Sequence, residues 1–398
     1  MLEPKINFAI NRLELGGKKI TAFEIFPTTT YPVKFNHTAY IRMGSATKAI
    51  YNHPELERDL WRRLDAVSFE EMIALNKLNK ADIINKLNIQ KYCESRQIAV
   101  DFNKLDSELI LEHLIEDKLV VKNRSRYDIT NLGAMVLSNN INEFSDQIIE
   151  RIPRLIFYQT DDRLLPAKEI EINEGYISCI PEIMRVLTNV LPAEERIVDG
   201  VLRKTVAAYP LNSLRELIVN ALMHQDVYIK GMRPMIEVFQ TRIEIRNPGK
   251  PLIRCERFVD SSPECRNSGL ARMLRILGFY EGRGMGIDLV INECESRRLP
   301  APSFIESNNS VIAIMYSFRE LKQMTKDQRI WSTYFHACIK YVERKNVFMT
   351  NASLRERFEI SDDRYTLASR IIKLTLEAGL IKVKNKDKSV NYIPHWVN

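Results

Sequence analysis

Three side chains able to do chemistry recur at every fourth position in one short stretch, SLRELIVNALMHQD: Glu216, Asn220 and His224. Residues four apart stack along one face of a helix. The same stretch carries Leu214, Leu217, Ile218, Ala221 and Leu222 at the spacing of an amphipathic helix. A carboxylate, an amide and an imidazole in one row could hold a hard cation through an oxygen, orient a water, or take its proton. The same three residues would also serve an ordinary polar helix face, so the row needs partners elsewhere in the chain.

Two later segments offer them. Gly282-Arg283-Gly284-Met285-Gly286-Ile287 stands directly before an apolar helical run, and five of the chain's 14 glycines fall between Gly269 and Gly286. Glycines at a helix start let backbone N–H groups approach an anion, and that helix end favours negative charge. Upstream, MRPMIEVFQTRIEIRNPGKP alternates Ile236 and Val238, then Ile243 and Ile245, with polar residues. That is the pattern of a β-hairpin, here closing at Asn247-Pro248-Gly249. Alone, Asn-Pro-Gly is a turn and Gly-x-Gly-x-Gly a tight bend. The chain has no G-x-x-x-x-G-K-[ST], so a P-loop ATPase or helicase is not indicated, and the glycine cluster lacks the context of a dinucleotide fingerprint.

In chain order, Glu216-x-x-x-Asn220, Asn247-Pro248-Gly249 and Gly284-x-Gly286 resemble the motifs of the GHKL ATPase superfamily: an E-x-x-x-N helix, a strand-end D-x-G turn and a G-x-G lid. YPLNSLRELIVNALMHQD, RIEIRNPGKP, CRNSGLARML and EGRGMGID look closest to the ATPase module of prokaryotic Schlafen-like (AlbA-type) predicted transcriptional regulators. YIRMGSAT resembles the end of their Schlafen-like DNA-binding domain.

The resemblance implies an ATP- and DNA-binding regulator in which Mg-ATP modulates DNA binding. Asn220 would hold the magnesium ion and Glu216 would serve as catalytic base or water-orienting group. Asn247 stands where the superfamily has an adenine-reading aspartate. His224, Gly249, Arg266, Asn267, Gly282, Gly284 and Gly286 complete the implied nucleotide site. His224-Gln225-Asp226 departs from the family's H-R-D, which removes an arginine. Two other readings remain open: an ATPase of a phage-defence or mobile-element system triggered by nucleic acid, and a scaffold with a vestigial nucleotide site.

The elements that must position these residues follow from pattern. Residues 213–318 alternate helix and strand, and SVIAIMYSF reads as a closing strand. The implied fold class is multi-domain α/β. It comprises a partial Schlafen-like α/β domain (1–64), a helical connector resembling a winged helix (65–132), a central GHKL (Bergerat-type) α/β sandwich (133–320) and a C-terminal winged helix-turn-helix (326–398). KITAFEIF reads as a strand ending at Pro27, and HPELERDLWRRL as a helix with Pro54 near its start. The glutamate-rich first segment of the Schlafen-like family has no match in residues 1–20, so the N-terminal domain looks truncated, as a natural short form, a fragment or a diverged member would, and no nuclease activity is assigned to it.

In the last module, SDDRYTLASRIIKLTLEAGL predicts a helix with an apolar stripe of Leu367, Ile371, Leu374 and Ala378. Thr366, Ser369, Arg370 and Lys373 lie off that stripe, where they could reach bases or phosphates of double-stranded DNA. Lys382, Lys384, Lys386 and Lys388 line the following hairpin, a natural phosphate-contacting wing.

Charge agrees with that assignment. The net charge is +7, and from Lys326 onward the chain has 14 Lys and Arg against 8 Asp and Glu. Helix-turn-helix proteins commonly read two half-sites, which would suit a homodimer. With 45% hydrophobic residues the chain can build real cores. It shows no signal peptide and no apolar run of about 18 residues that would span a membrane. Its six scattered cysteines form no C-x-x-C pair, which suits the reducing cytoplasm rather than a disulfide framework or a zinc site.

Overall fold

The alternating residues of KITAFEIF form a strand that pairs antiparallel with the one before it, from Phe8 against Ile25 to Leu15 against Lys18. This computed structural model describes residues 2–3, 6, 8–25, 31–65, 68–98, 107–198, 202–260, 264–282, 284, 286–343, 347–385 and 390–397. The expected strand end at Pro27 falls outside them. The chain divides into two units, Met1–Ile73 and Ala74–Asn398.

The first unit contains β1 (Leu2–Glu3), β2 (Phe8–Leu15), β3 (Lys18–Ile25), β4 (Lys34–Phe35), β5 (Thr38–Met43), β6 (Ala46–Ala49) and α1 (Pro54–Asp65). β2 and β3 form their own hairpin, and the other four strands form a sheet in the order β1-β4-β5-β6. Pro54 opens α1, where its missing N–H removes no intrahelical bond.

β7 (Ile73–Leu78) starts at the last residue of the first unit and lies otherwise in the second, which continues with α2 (Lys80–Lys86), α3 (Ile89–Arg96), α4 (Ser107–Glu116), β8 (Val120–Asn123) and β9 (Arg126–Thr130). The strands join in the order β7-β9-β8. Next come α5 (Asn131–Leu137), α6 (Asp146–Ile149), β10 (Arg154–Tyr158), β11 (Pro166–Glu171), α7 (Tyr176–Val190) and the hairpin of β12 (Ala193–Val198) and β13 (Leu202–Ala207).

The row of polar residues lies on α8 (Leu211–His224), which is followed by β14 (Met235–Val238), β15 (Arg242–Pro248), α9 (Ser268–Ile276), α10 (Gly286–Ser296), β16 (Ser303–Ser307) and β17 (Ser310–Tyr316). A six-stranded sheet runs β11-β10-β14-β15-β17-β16. Its pairings are antiparallel except that of β10 with β14. α8 packs on β15 and is flanked by α7 and α10. Period-two alternation along β15 sorts its side chains. Ile245 and Asn247 face the cavity described below, while Glu244 is buried in an ion pair with Arg242 and Arg163.

The chain ends in α11 (Lys326–Glu343), α12 (Asn351–Phe358), α13 (Tyr365–Glu377), β18 (Ile381–Asn385) and β19 (Asn391–Pro394). Thr350 and Ser353 form a capping box at the start of α12. Phe335, Cys338, Leu354, Ile371 and Ile381 share one core with Ile291 of α10, so this module is continuous with the sheet-bearing part. The buried face of α13 is made by Ala368, Ile371, Ile372 and Thr375. Of the expected stripe, Leu367 and Leu374 are half-buried and Ala378 is exposed. α13 packs against both α11 and α12, which turns and broadens its buried arc. Taken together, the described residues form a mixed α/β, multi-domain protein with several sheets and 13 α-helices.

Candidate functional site

α8 is fixed at both ends, and this is what aims its polar row. At the start, Glu293 of α10 accepts hydrogen bonds from the Ser213 N–H at 3.1 Å and from the Ser213 hydroxyl. A carboxylate there satisfies free N–H groups and complements the helix dipole. At the far end the Asn267 amide donates to the carbonyls of Met223 at 2.9 Å and Gln225 at 2.8 Å. Between these clamps the apolar residues Leu214, Leu217, Ile218 and Leu222 are buried.

Glu216, Asn220 and His224 line a cavity of about 170 Å³, together with Ile245 and Asn247 of β15 and with Gly284 and Gly286. Asn220 donates to Glu216 Oε1 at 3.3 Å. Burial raises the Glu216 carboxyl above its ordinary range, opposed by the charge of Arg215 and the Asn220 hydrogen bond. Burial likewise lowers the His224 imidazole, with Arg266 adding to the effect, so the neutral ring is favoured.

Gly286, the first residue of α10, lies so close to Glu216 that a Cβ there would overlap the carboxylate. The glycine segment therefore stands directly over the polar row. A second cleft, of about 510 Å³, is shared by Glu216, Gly282, Gly284 and Gly286 and also lined by Arg215 and Asp288. Burial pushes the Asp288 carboxyl up to about 6, and its Oδ1 has no hydrogen-bond partner among the described residues.

Three residues expected in the site stand behind it instead. Gly249 has φ +102°, and a Cβ there would come within 2.7 Å of Asp226 Cβ, so both conformation and contact require glycine. Arg266 pairs with Asp226 at 3.3 Å and donates to the Lys250 carbonyl at 2.8 Å. With Asn267 these residues tie the end of α8 to the turn after β15, and none of the three lines the cavity. The Arg266 terminal nitrogens and the Asn267 amide nitrogen donate to protein groups rather than toward the cavity.

The cavity also takes in residues that motif reading passed over. Lys250 follows the Asn-Pro-Gly turn, and Tyr280 precedes the glycines and lines both clefts. Adjacency to the motifs was the available signal. Phe258 and Phe304 come from segments with no such signal.

The other end of α10 reaches the C-terminal module. Glu295 accepts from Arg357 Nε of α12 at 2.5 Å and lies 2.5 Å from His336 Nδ1 of α11. His336 Nε2 is 3.1 Å from the Ser353 hydroxyl. Burial alone would raise the Glu295 carboxyl, but the His336 hydrogen bond and the Arg357 charge outweigh it and hold it below the usual range. The serine, histidine and glutamate have the order of a hydrolase triad. Ser353 Oγ, however, is already engaged in the α12 capping box, accepting from the Thr350 N–H at 3.0 Å. The cluster is a brace between α10, α11 and α12.

On α13, Thr366, Ser369, Arg370 and Lys373 are exposed on the face away from the core. Ser369 accepts from Asn351 at 2.9 Å, and Lys373 lies 3.9 Å from Glu377. Lys382 and Lys384 are exposed on β18, with the Lys384 ammonium 3.7 Å from the centre of the Phe348 ring. Lys386 and Lys388 lie outside the described residues. Among the described residues no helix is long and apolar enough to cross a membrane.

Residues 231–315 match the family described as "Putative ATP-dependent DNA helicase recG C-terminal". The match runs from just before β14 into β17 and leaves Glu216 and Asn220 outside it. No curated protein matches the chain. Among solved structures, the DIP2311 protein from Corynebacterium diphtheriae has a TM-score of 0.51 at 16% identity, over 97% of this chain and 76% of that one. The β14–β17 segment is thus similar to a family named for an ATP-dependent protein, and the chain shares its fold with DIP2311.

Proposed function

We propose that the cavity between α8 and the sheet binds Mg-ATP, and that the bound nucleotide adjusts DNA binding by the C-terminal module, making the protein an ATP-responsive DNA-binding regulator. One observation carries this reading: Glu216 and Asn220 sit side by side under the glycine-rich start of α10, at the mouth of a cavity with an apolar wall. A base suits the apolar wall, and phosphates suit the helix N-terminus and Lys250. Among the described residues no cluster of three or more His, Cys, Asp or Glu could hold a metal alone. Magnesium would therefore be shared between Asn220 and the nucleotide's phosphates, where it would neutralise their charge. The match to a family named for ATP-dependent proteins agrees.

Residues 326–398 read best as a winged helix-turn-helix, with α13 entering the major groove and the β18–β19 hairpin against the backbone. Support comes from the exposed Arg370, Lys373, Lys382 and Lys384. α10 links the two sites, with Gly286 at the cavity and Glu295 on α11 and α12. A ligand that moves its first turn has a rigid lever to the DNA-binding face.

Hydrolysis is the second reading, favoured by the raised carboxyl of Glu216, which makes it a stronger base for an attacking water. The regulatory reading is tested by anisotropy of a labelled DNA duplex titrated with the full chain, with and without Mg-ATP. A several-fold change in affinity is expected. Identical curves in the presence of bound nucleotide would remove the coupling.

A further inference from the structure

A third cleft, of about 530 Å³, opens between the connector that joins β17 to α11 and the turn that joins α12 to α13. It shares no residue with the two clefts around Glu216. Six of its lining residues are Lys or Arg and two are Glu. Arg298 pairs with Glu359, Lys322 with Glu320, and Arg357 with Glu295 from outside the cleft. Arg319, Arg329 and Arg364 have no carboxylate partner among the described residues. Arg329 donates to neutral acceptors, the carbonyls of Leu321 at 3.1 Å and Lys322 at 3.3 Å. Arg319 donates to the Gln328 side-chain oxygen at 3.4 Å and to the Thr241 hydroxyl at 3.0 Å, and Asp161 accepts from that hydroxyl rather than from Arg319. Both guanidiniums belong to half-buried residues, so their charge is neither paired nor fully hydrated, and an anion is the partner that would stabilise it. Arg364 is exposed, and its side chain makes no hydrogen bond among the described residues. Between the cations the wall is apolar. Met324 and Ile360 are buried, Leu321, Phe358 and Leu367 are half-buried, and Phe318 is 43% exposed.

We propose that this cleft is a second ligand site, for a small phosphorylated molecule with a flat apolar body. Arg329 and Arg364 would hold the phosphate, and Phe318 and Leu321 would take the body. Guanidinium groups match phosphate oxygens in geometry as well as charge, and an aromatic wall beside them favours a ligand that carries both features. A continuous nucleic-acid backbone suits the place less well. Asp362 and Asp363 are exposed on the same turn and would meet successive phosphates with like charge. Neither lines the cleft, so a ligand small enough to stay inside avoids them. Arg357 lines the cleft and also holds Glu295, which seats the ligand against the brace between α10 and α12. The proposal is independent of the nucleotide reading above, because no residue of that cavity takes part.

The test is fluorescence titration of the full chain with 1-naphthyl phosphate at pH 8, where a phosphate monoester is mostly a dianion. Parallel titrations use 1-naphthol and competing inorganic phosphate, each of which carries half of the recognised chemistry. Saturable binding of naphthyl phosphate is expected, about tenfold or more tighter than that of either half. Arg364→Glu should weaken it by about tenfold or more, and Phe318→Ala by several-fold. Asn220→Ala should leave it unchanged, which separates this cleft from the cavity under the glycine segment. Arg364 and Phe318 are exposed, so both variants should fold, and circular dichroism checks that they do. Absence of saturable binding to the unaltered chain would overturn the proposal. Equally tight binding of naphthol would do so too, since it would leave the cations without a role. Binding that survives Arg364→Glu, or is lost in Asn220→Ala, would place the ligand elsewhere and overturn it as well.

Discussion

The carboxylate of Glu216 packs against Gly286, in space that any side chain at position 286 would need. Position 286 is therefore glycine because two helices meet there, and the contact fixes the start of α10 over the middle of α8. Gly286→Ala should push them apart. Overpacking of this kind costs about 1–3 kcal/mol, and the displaced segment should weaken nucleotide binding by about tenfold or more. Urea denaturation and nucleotide titration of the same variant check both. Unchanged stability and affinity would show that the contact is loose in solution.

Asn267→Ala should separate bracing from binding. It leaves the carbonyls of Met223 and Gln225 without their amide partner, at about 1–3 kcal/mol for a buried group. For a domain of this size that corresponds to roughly 2–4 °C in Tm per kcal/mol. Nucleotide affinity should fall less than in Asn220→Ala, and thermal melts beside titrations decide the order.

Asp288 gives a pH signature. Its folded carboxyl titrates at about 6, above its ordinary 3.8, because burial disfavours the charge. The folded state therefore holds a proton that the unfolded state has lost, and stability falls as pH rises between these two values. Asp288→Asn should raise Tm at pH 8 and leave it nearly unchanged at pH 4. The group is only partly buried, so solvent screening limits the gain to on the order of 1 kcal/mol. Equal melting shifts at both pH values would contradict this.

Legibility of the fold followed the range of the interactions. The hairpin of β14 and β15 was readable because Ile236, Val238, Ile243 and Ile245 alternate across a short connection. The parallel pairing of β10 with β14 was not, since it joins Leu155 to Ile236 and no local pattern encodes a partner so distant. In the candidate site, the α8 row was legible from its four-residue spacing, and in the structure it lines one cavity with Gly284 and Gly286. Arg266 and Asn267 sit in a motif beside the site but are turned toward the end of α8. Spacing along a chain does not report which way a loop side chain faces. Glu295, His336 and Arg357 lie on three separate helices, so their convergence was visible only once the helices were packed.

That convergence makes a prediction about coupling. Glu295→Gln keeps the volume but removes the charge that holds Arg357. Nucleotide and DNA should still bind separately, while the effect of one on the other shrinks. Glu295 is held below the usual carboxylate range when folded. Its contribution to stability is therefore present above the unfolded pKa and disappears as pH falls through the lower folded value, a loss the variant should not show. Anisotropy with and without nucleotide, plus acid titrations, measure these effects.

Arg370→Ala combined with Lys373→Ala should weaken DNA binding and reduce the slope of log affinity against log salt by about 2. Nucleotide affinity should stay unchanged, because neither residue lines the cavity. An unaltered salt slope would move the DNA surface elsewhere.

The central claim is that the Glu216 and Asn220 row faces a nucleotide. Calorimetric titration of ATP with magnesium into the full chain, beside Asn220→Ala, tests it most directly. The account predicts saturable binding to the unaltered chain and loss of the magnesium-dependent part in the variant. Absence of binding to the unaltered chain, or equal binding to both proteins, would contradict it.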